Sequence, residues 1–441
     1  MKPASRINAT IEILDSTHRA RVPLDKCVGD YMRVRRYIGA KDRSNVAERV
    51  YDITRAHARL GWWLEFVQAE DTPRNRVLAW TILGEGADEK RLDDLFDGSN
   101  YAPLPLTEEE QKFASKMIGL PLERKDMPDT VRVECPPEHE EYLRGLYGDD
   151  FEDEMRAMLT PAPLDLRVNI FTADKEKVIG SLKKDGVEVT ETPFCPWGLR
   201  CIEKSYISRT KAFTKGWVDI QDEGSQLIAW LCAAKPGMQV LDYCAGGGGK
   251  TLALGAAMQR KGRIVAADID ARRLENGRNR YKKASIADIV ELRGLSEERH
   301  RKWFKRQKET FDIVLVDAPC SGAGTWRRNP DMRWQNYGPN LEALTEMQAE
   351  IIEKASKAVK QGGKLVYATC SLLAEENENQ VNAFIANNPD FEIIPVEETL
   401  GLGTPYMRLT PHRHQTDGFF AAVLQKKKTT VEDITANEAF E

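Results

Sequence analysis

The C-terminal half of the chain alternates two kinds of hydrophobic pattern. Between residues 226 and 427, short apolar runs rich in β-branched residues are followed by longer segments of helical period. This order is typical of a mostly parallel α/β sheet. The predicted strands are QVLDY, RIVAADID, IVEL, FDIVLVD and KLVYATC, and FEIIPV with DGFFAAVLQ is expected to close the sheet as an antiparallel pair at its edge. The predicted helices are TLALGAAMQRKG, ARRLENGRNRYKKA, LEALTEMQAEIIEKASKAVKQGG and AEENENQVNAFIANN. The fold class predicted for this half is therefore α/β with a Rossmann-like sheet.

Two further regions precede this half. Residues 1–155 show helical patterns and almost no strand signal; the segment 44–63 predicts a helix with Ser44 as its N-cap. Residues 156–225 read strand, helix, strand, strand, which predicts a small α+β unit. We therefore predict domains at 1–155, 156–225 and 226–427, and a disordered polar tail at 428–441.

The composition of the chain indicates which cellular compartment and which kinds of site to expect. The chain has 64 Lys and Arg against 69 Asp and Glu, a net charge of −5. Its eight cysteines form no C-x-x-C pair and have no histidines at zinc-ligand spacing, so we expect neither a disulfide framework nor a metal site. No run resembles a signal peptide or a membrane span, which favours a cytoplasmic protein.

Basic residues nevertheless cluster along this acidic chain. A single cluster is usually a solvated surface, but the three clusters at 33–43, 272–283 and 299–308 together favour a polyanionic partner such as RNA. The group at 200–215 fits RNA binding or ordinary surface and core equally well. The clusters are Arg33, Arg35, Arg36, Lys41 and Arg43; Arg200, Lys204, Arg209, Lys211 and Lys215, with Phe213 and Trp217 between them; Arg272, Arg273, Arg278, Arg280, Lys282 and Lys283; and Arg299, Arg301, Lys302, Lys305, Arg306 and Lys308.

A glycine run, 246–249, follows the first predicted strand of the C-terminal half. In open α/β sheets, ligands bind in the crevice at the carboxyl ends of the strands, and glycine lets a ligand approach the backbone. Such a run could also make only a tight turn. Asp268 ends the next strand, where a carboxylate can hydrogen-bond a ribose diol. The G-x-G-x-x-G spacing is absent, and Ala245 replaces the first glycine of a P-loop. This pattern favours a nucleoside ligand without a phosphate cradle, such as S-adenosyl-methionine.

Two cysteines end two neighbouring predicted strands: Cys320 in FDIVLVDAPCSG and Cys370 in KLVYATCSL. A free cysteine is more often a small buried hydrophobe than a reactive group. The sequence from Asp317 to Cys320 argues against that reading, because an acidic residue and a proline at a strand end are poor core material. We therefore predict chemistry through a covalent cysteine intermediate beside the cofactor loop.

These motifs together carry a resemblance. LDYCAGGGGKT, AADIDARR, VLVDAPCSGAGTWRRNPDMRW and LVYATCSLLAEENENQV resemble successive motifs of the RNA cytosine-C5 methyltransferases, in particular the bacterial 16S ribosomal RNA branch of Sun/Fmu type. The likeness is strong over the C-terminal half. It implies a class I S-adenosyl-methionine-dependent methyltransferase fold, a NusB-like helical domain at 1–155 and an RRM-like unit at 156–225. The pair of cysteines is typical of this RNA family, whereas DNA cytosine methyltransferases use one.

The resemblance also implies roles for individual residues. Cys370 would attack C6 of the target cytosine, and Cys320 would serve the release step by β-elimination. Asp317 would hydrogen-bond the base near N3 and N4, and Lys250 would contact the base or align Asp317. The cofactor would be held by Cys244, Ala245, Gly246, Gly247, Gly248, Gly249, Lys250, Asp268 and Asp317.

The chain departs from the family pattern at two places. Gly246 and Gly247 stand where the family usually has alanine and proline, so we expect a more flexible loop with a larger ordering entropy on cofactor binding. Leu295 stands where the family tends to place an aspartate close to the adenine, and Asp288, Glu291 or Ser296 are possible substitutes. On this view the exchange Leu295→Asp should leave cofactor binding equal or tighter.

The sequence thus predicts a monomeric S-adenosyl-methionine-dependent RNA methyltransferase that makes 5-methylcytosine, with ribosomal RNA as substrate. Two alternatives stay open. One is a transfer-RNA methyltransferase of the same family, and the other is an RNA-binding ribosome assembly factor with weak catalysis. A DNA methyltransferase is disfavoured by the second cysteine.

Overall fold

The computed structural model describes residues 1–428, and its chain forms two compact units. The first comprises Met1–Pro161 and Trp326–Gly338; the second comprises Ala162–Thr325 and the chain from Pro339 on. The small α+β region therefore belongs to the same unit as the α/β region. Apart from Lys428, the tail predicted at 428–441 lies outside the described residues.

The first unit is helical. Its main core packs Trp63, Leu60, Leu78 and Phe96 together. The helices are α1 (Pro3–Ala20), α2 (Leu24–Val34), α3 (Ala40–Arg55), α4 (His57–Phe66), α5 (Pro73–Leu83), α6 (Glu89–Leu95), α7 (Glu108–Met117), α8 (Asp129–Arg132), α9 (Glu140–Tyr147) and α10 (Phe151–Ala157).

The helix predicted at 44–63 is two helices, and Ser44 as its N-cap is wrong. The N-cap of α3 is Gly39, and α3 ends at Arg55 before α4 begins at His57. The apolar positions Val46, Val50 and Leu60 are buried as their spacing indicates. The pattern thus identified the buried face, but it did not show that the helix is interrupted at Ala56.

The segment 326–338 follows the Cys320 loop in sequence, yet it packs inside the helical unit. Asp331 accepts a hydrogen bond from the Leu24 N–H (2.9 Å), and buried Arg333 donates to the Glu134 carbonyl (3.1 Å). No local pattern indicates this placement, because both partners lie far away in the chain.

The α+β part of the second unit is a four-stranded antiparallel sheet of order β2-β3-β1-β4 with two short helices. Leu166 and Val168 of β1 pack with Val178 and Leu182 of α11 in one core. The elements are β1 (Asp165–Val168), α11 (Lys175–Lys184), β2 (Val189–Glu191), β3 (Gly198–Cys201), α12 (Lys211–Thr214) and β4 (Val218–Ile220).

The α/β part contains a sheet that, within residues 1–428, has the order β10-β12-β9-β8-β5-β6-β7, with β11 paired to β12. The five strands β9, β8, β5, β6 and β7 run parallel to one another. Strand β12 runs antiparallel to both β9 and β10. The elements are α13 (Glu223–Leu231), β5 (Gln239–Asp242), α14 (Gly249–Ala257), β6 (Arg263–Asp268), α15 (Ala271–Lys283), β7 (Val290–Gly294), α16 (Glu298–Lys305), β8 (Phe311–Asp317), α17 (Leu341–Ser356), β9 (Val359–Thr369), α18 (Glu378–Asn387), β10 (Phe391–Ile394), β11 (Met407–Leu409), α19 (Pro411–His414) and β12 (Phe419–Lys426).

The structure confirms the predicted Rossmann-like sheet and the antiparallel pairing of β10 with β12. Of this pair, β10 lies at an edge of the sheet as described for residues 1–428, whereas β12 lies between β9 and β10. The predicted helix 341–363 is too long: α17 ends at Ser356, and Val359 already pairs with Phe311 in the sheet. Gly362 has a φ of 73°, and this left-handed backbone conformation cannot belong to a right-handed α-helix.

Successive residues of the central strands point to opposite faces of the sheet, and both faces are covered. This explains why the strands are continuous apolar runs rather than alternating ones. One core contains Val240, Ile264, Ile313 and Leu254; the other contains Leu241, Val265, Val314 and Ile352. The strands are therefore fixed rigidly, and the loops at their carboxyl ends share one edge of the sheet.

Candidate active site

The glycine loop leaves β5 and closes against the end of β6. The Gly246 N–H donates to Asp268 Oδ2 (2.8 Å), and the Asp270 N–H donates to Asp268 Oδ1 (2.8 Å). Gly248 has φ of 79°, and a Cβ there would lie 1.8 Å from the Tyr281 hydroxyl. Glycine is therefore required at 248, and Asp268 orders the loop in addition to any contact with a ligand.

Two arginines also fix the carbonyl groups of this loop. Arg280 donates to the Gly247 carbonyl (2.6 Å) and to Asp219 (2.5 Å). Arg167, buried in β1, donates to the Gly249 carbonyl (2.8 Å). These contacts replace the rigidity that alanine and proline would provide, so the expected flexible loop is tied down in the structure. Sequence analysis missed both arginines as loop anchors, because neither lies in a motif near the loop.

Asp242 ends β5 beneath the loop and is buried. One of its oxygens accepts a hydrogen bond from the Thr251 hydroxyl (2.7 Å), and the other has no partner among residues 1–428. Burial is the main cause that raises the pKa of Asp242 to about 7, and the nearby carboxylates of Asp317 and Asp268 add to it. The one sequence signal for Asp242 is its position as a carboxylate at a strand end before the glycine run.

Lys250 and Asp317 form a close ion pair at the ends of α14 and β8. Lys250 Nζ lies 2.7 Å from Asp317 Oδ2, and Lys250 is only 8% exposed. Burial lowers the pKa of Lys250, but the charges of Asp317, Asp242 and Cys370 outweigh it, so this pKa is raised. Lys250 is thus a cation at neutral pH, and its position fits the predicted alignment of Asp317.

Cys320 and Cys370 lie side by side, with their Sγ atoms 3.4 Å apart. Their loops follow the adjacent strands β8 and β9, and the Gly324 N–H donates to the Cys370 carbonyl (2.9 Å). The hydrogen bond to Cys370 is the main cause that raises the pKa of Cys320 well above its usual value, and burial adds to it. Cys320 therefore keeps its proton at neutral pH and can donate it towards Cys370.

Cys244 is half-buried in the glycine loop. Burial, together with the carboxylates of Asp317, Asp268 and Asp242, raises the pKa of its thiol well above the usual value. A protonated thiol is a poor nucleophile. The structure therefore brings Cys244 to the predicted site without giving it a nucleophilic role.

The adenine side of the site differs from the expectation. Leu295 is buried in the core that contains Tyr243 and Val265. Two of the three suggested substitutes are engaged elsewhere: Asp288 pairs with Arg260, and Glu291 pairs with Arg263. The third, Ser296, is exposed. Ile269, which sequence analysis missed, follows Asp268 and is 68% exposed. An aspartate at 295 would consequently be buried in an apolar core, where the exchange is expected to cost stability.

The basic clusters divide into structural and exposed members. Arg200 is held by Asp165 (2.7 Å) and Glu223, and Arg280 holds the glycine loop. Phe213 and Trp217 lie beneath lysine ammonium groups rather than open to solvent. The exposed members that fit a role in binding RNA phosphates include Arg36, Lys41, Lys204, Arg209, Lys215, Lys302 and Lys305.

Comparison with known proteins places the chain in a family. Residues 229–425 match the family described as 16S rRNA methyltransferase RsmB/F, and residues 141–207 match its ferredoxin-like domain. The chain is 32% identical over 372 residues to ribosomal RNA small subunit methyltransferase B of Vibrio vulnificus, covering 84% of this chain and 79% of that protein. The chain belongs to this family. It is accordingly an S-adenosyl-methionine-dependent RNA methyltransferase, as its motifs predicted.

Other relatives agree. The probable ribosomal RNA small subunit methyltransferase B of Bacillus subtilis is 31% identical over 325 residues, 69% of this chain and 72% of the relative. The match to the Yersinia enterocolitica enzyme, 33% identical, spans 64% of each chain. Among solved structures, PH0851 superposes with a TM-score of 0.78 at 28% identity, covering 97% of this chain and 99% of that chain.

Within residues 1–428, no helix is long and apolar enough to span a bilayer. No group of acidic, histidine or cysteine side chains in this part of the chain is arranged to hold a metal ion.

Proposed function

We propose that this protein transfers a methyl group to C5 of a cytosine in RNA, with ribosomal RNA as the substrate, through a covalent bond between Cys370 and C6 of the base. The main support for this proposal is the pair of thiols, whose Sγ atoms lie 3.4 Å apart at the ends of β8 and β9, beside the Lys250–Asp317 ion pair. Two adjacent thiols with an ordered acid and cation suit an addition and elimination at one ring, whereas a binding module has no need of them.

The residues at the ends of β5 and β6 fit S-adenosyl-methionine. Asp268 presents a carboxylate for the ribose, and the exposed Ile269 offers an apolar surface for the adenine. The predicted loop 244–249 lines the same crevice, and Gly247 leaves room there, since a Cβ would meet only Arg280 at 3.6 Å. When bound, S-adenosyl-methionine supplies the methyl group as an electrophile.

The protein groups then act in order on the base. Cys370 Sγ forms a bond to C6, which makes C5 a carbon nucleophile, and C5 takes the methyl group. Removal of the C5 proton restores the C5–C6 double bond and breaks the Sγ–C6 bond, which frees Cys370. Asp317 accepts a hydrogen bond from the N4 amino group, and Lys250 holds Asp317 in place. The cytosine must be unstacked, because C6 is inaccessible inside a helix.

The environment of Cys320 suits the release step. Its pKa is raised mainly through its hydrogen bond with Cys370, and a charge on Cys370 adds to the effect. Once Cys370 is bonded to carbon, it carries no charge, so this cause is removed. The pKa of Cys320 then falls, so its thiol loses its proton to solvent more readily, and the resulting thiolate takes the C5 proton.

Bisulfite sequencing of total RNA from cells with and without the protein tests the proposed substrate. One or more ribosomal RNA cytosines should lose protection from conversion when the protein is absent. Protection lost at transfer-RNA positions alone would move the substrate to transfer RNA. Unchanged protection in all RNA would contradict the proposed activity.

Thiol variants test the covalent step. Cys370→Ala should abolish methylation and form no covalent protein–RNA complex. Cys320→Ala should still attack and methylate, but it should accumulate a complex that survives denaturing electrophoresis, and this complex should vanish in the double variant. Since both thiols act on one intermediate, their effects should not add. A complex in Cys370→Ala alone would reverse the two roles, and full methylation without complex in either variant would exclude the covalent mechanism.

A further inference from the structure

The residues directly before and after Cys320, Pro319 and Ser321, are both held by hydrogen bonds. The Ser321 N–H donates to Glu376 Oε1 (2.8 Å), and the Ser321 hydroxyl donates to Glu376 Oε2 (2.5 Å). On the other side, Gln348 Nε2 donates to the Pro319 carbonyl (2.9 Å) and also to Glu376 (3.0 Å). The position of Cys320 thus depends on one carboxylate.

Asn377, the residue after Glu376, makes hydrogen bonds to both residues that flank Cys370. The Thr369 hydroxyl donates to Asn377 Oδ1 (2.5 Å), and Asn377 Nδ2 donates to the Ser371 carbonyl (3.0 Å). Thr369 and Ser371 are the residues directly before and after Cys370. Glu376 and Asn377 are adjacent in the chain, so a displacement of either one would change the distance between the thiols.

The burial of this pair is difficult to explain by stability. Glu376 and Asn377 are both fully buried. The contacts described for the Glu376 carboxylate are with neutral donors, namely Ser321 and Gln348. Burying a carboxylate without a cation is costly, and an apolar residue in such a place is often neutral or better for stability. A carboxylate at this place is therefore better explained by a role in positioning the residues that it contacts than by a contribution to stability.

We propose that Glu376 and Asn377 form a clamp that holds the two thiols in register, with Glu376 positioning Cys320 for release and Asn377 positioning Cys370 for attack. This assignment of steps rests on the proposed function, whereas the clamp itself rests on the hydrogen bonds alone. The two neighbouring residues should consequently give opposite defects. Loss of a purely structural residue would instead reduce every step together.

The first test measures covalent complex and turnover with substrate RNA and radiolabelled S-adenosyl-methionine. Glu376→Gln should lower turnover and accumulate complex at least about tenfold over wild type, the factor that matches one charge-assisted hydrogen bond. Asn377→Ala should lower turnover without accumulating complex. The matched control is Glu375→Gln, the same chemical change at the exposed neighbouring position. Low turnover without complex in Glu376→Gln, while Cys320→Ala accumulates it, would overturn the division of roles.

The second test needs neither RNA nor turnover. The rate of alkylation of Cys320 by iodoacetamide, followed by peptide mass spectrometry, should rise in Glu376→Gln and stay at the wild-type value in Glu375→Gln. An unchanged rate in Glu376→Gln would overturn the clamp, whatever the RNA assay shows. If Cys320→Ala forms no complex while this rate does rise, the release role of Cys320 fails and the clamp stands.

Folding of the variants is checked separately. Calorimetric binding of S-adenosyl-methionine should be unchanged in Glu376→Gln, because Glu376 contacts neither the glycine loop nor Asp268 in the described hydrogen bonds. If Glu376→Gln does not fold, Ser321→Ala serves in its place: it removes the hydroxyl bond and keeps the N–H bond to Glu376. A smaller rise in alkylation and in complex is then expected, and wild-type values in both would overturn the proposal.

Discussion

At the scale of single residues, Asp242 has the clearest pH dependence. Its pKa is about 7 in the folded protein, where burial raises it from a usual value of 3.8. Between these values the folded state binds a proton that the unfolded state has lost, so stability falls as pH rises, and the full cost is present above pH 7. Asp242→Asn removes this cost and keeps an acceptor for Thr251. The free energy of unfolding of Asp242→Asn relative to wild type should therefore be higher at pH 8 than at pH 5, by roughly 1–3 kcal/mol.

Chemical denaturation at the two pH values measures this difference. Asp288→Asn is the control, because a hydrogen bond from Arg260 lowers the pKa of Asp288 below its usual value of 3.8. The stabilising contribution of Asp288 is lost only below that value, so the difference in stability between Asp288→Asn and wild type should be the same at pH 5 and pH 8. A difference between Asp242→Asn and wild type that does not vary with pH would show that Asp242 does not titrate in this range.

Also at the residue scale, Asp268→Ala should weaken S-adenosyl-methionine binding about 10- to 100-fold. The change removes an acceptor for the ribose and the anchor of Gly246, each a hydrogen bond to a charged group. Isothermal calorimetry measures the affinity. Asp270→Ser is the matched control, since Asp270 caps α15 through its side chain and serine can keep that cap. Normal binding by Asp268→Ala would mean that the cofactor site is misplaced.

Leu295→Asp should lower the free energy of unfolding by more than about 1 kcal/mol, because it places a carboxylate in an apolar core. Thermal denaturation of the apoprotein measures this loss. Leu295→Met, which keeps an apolar side chain of similar volume, is the control and should cost less. Unchanged stability in Leu295→Asp would restore the interpretation of position 295 as a missing adenine contact.

At the scale of elements, the glycine loop between β5 and α14 contains positions of different character. Gly247 is not among the glycines with positive φ, and a Cβ there meets Arg280 at an ordinary 3.6 Å. Gly247→Ala should therefore raise the free energy of unfolding by about 0.4–1 kcal/mol, by restricting the unfolded chain. Gly248→Ala should destabilise the protein and weaken cofactor binding, because its φ is positive and its Cβ would overlap Tyr281. Equal effects of the two changes in denaturation experiments would contradict the anchoring of this loop.

At the scale of the whole molecule, the net charge is negative, but the exposed basic clusters favour binding of RNA phosphates. Affinity for substrate RNA should fall steeply with salt, and Arg36→Glu with Lys41→Glu should weaken binding and reduce the salt slope by about one per lost phosphate contact. Tyr37, which is 75% exposed between them, is available for stacking on a base. Filter binding at several salt concentrations measures both quantities.

The matched control for this experiment is Lys90→Glu with Arg91→Glu, an equal change of charge at exposed positions of α6 outside the clusters. The control should leave the salt slope unchanged. Affinity that stays constant from low to high salt, or an equal loss in both double variants, would contradict specific phosphate contacts at 33–43.

The sequence by itself determined the features that depend on residues close together in the chain, namely the strands and the residues that follow them. Strand runs such as FDIVLVD and KLVYATC are continuous and apolar because both faces of the sheet are covered, and the residues that follow them lie at one edge of the sheet. Cys320, Cys370, Asp317, Lys250 and Asp268 could thus be assigned to one predicted site before any coordinates, although their chemical roles stay predictions.

Only the tertiary structure decided what depends on residues far apart in the chain. The turn that separates α3 from α4, the placement of 326–338 in the helical unit, and the hydrogen bonds of Arg167, Arg280 and Glu376 have no local signal. A hydrogen bond between residues 55 or 82 positions apart is specified by how strands and helices pack, and periodicity describes only the face that each element buries. The sequence therefore identifies candidate reactive groups, and the packing determines the distances between them.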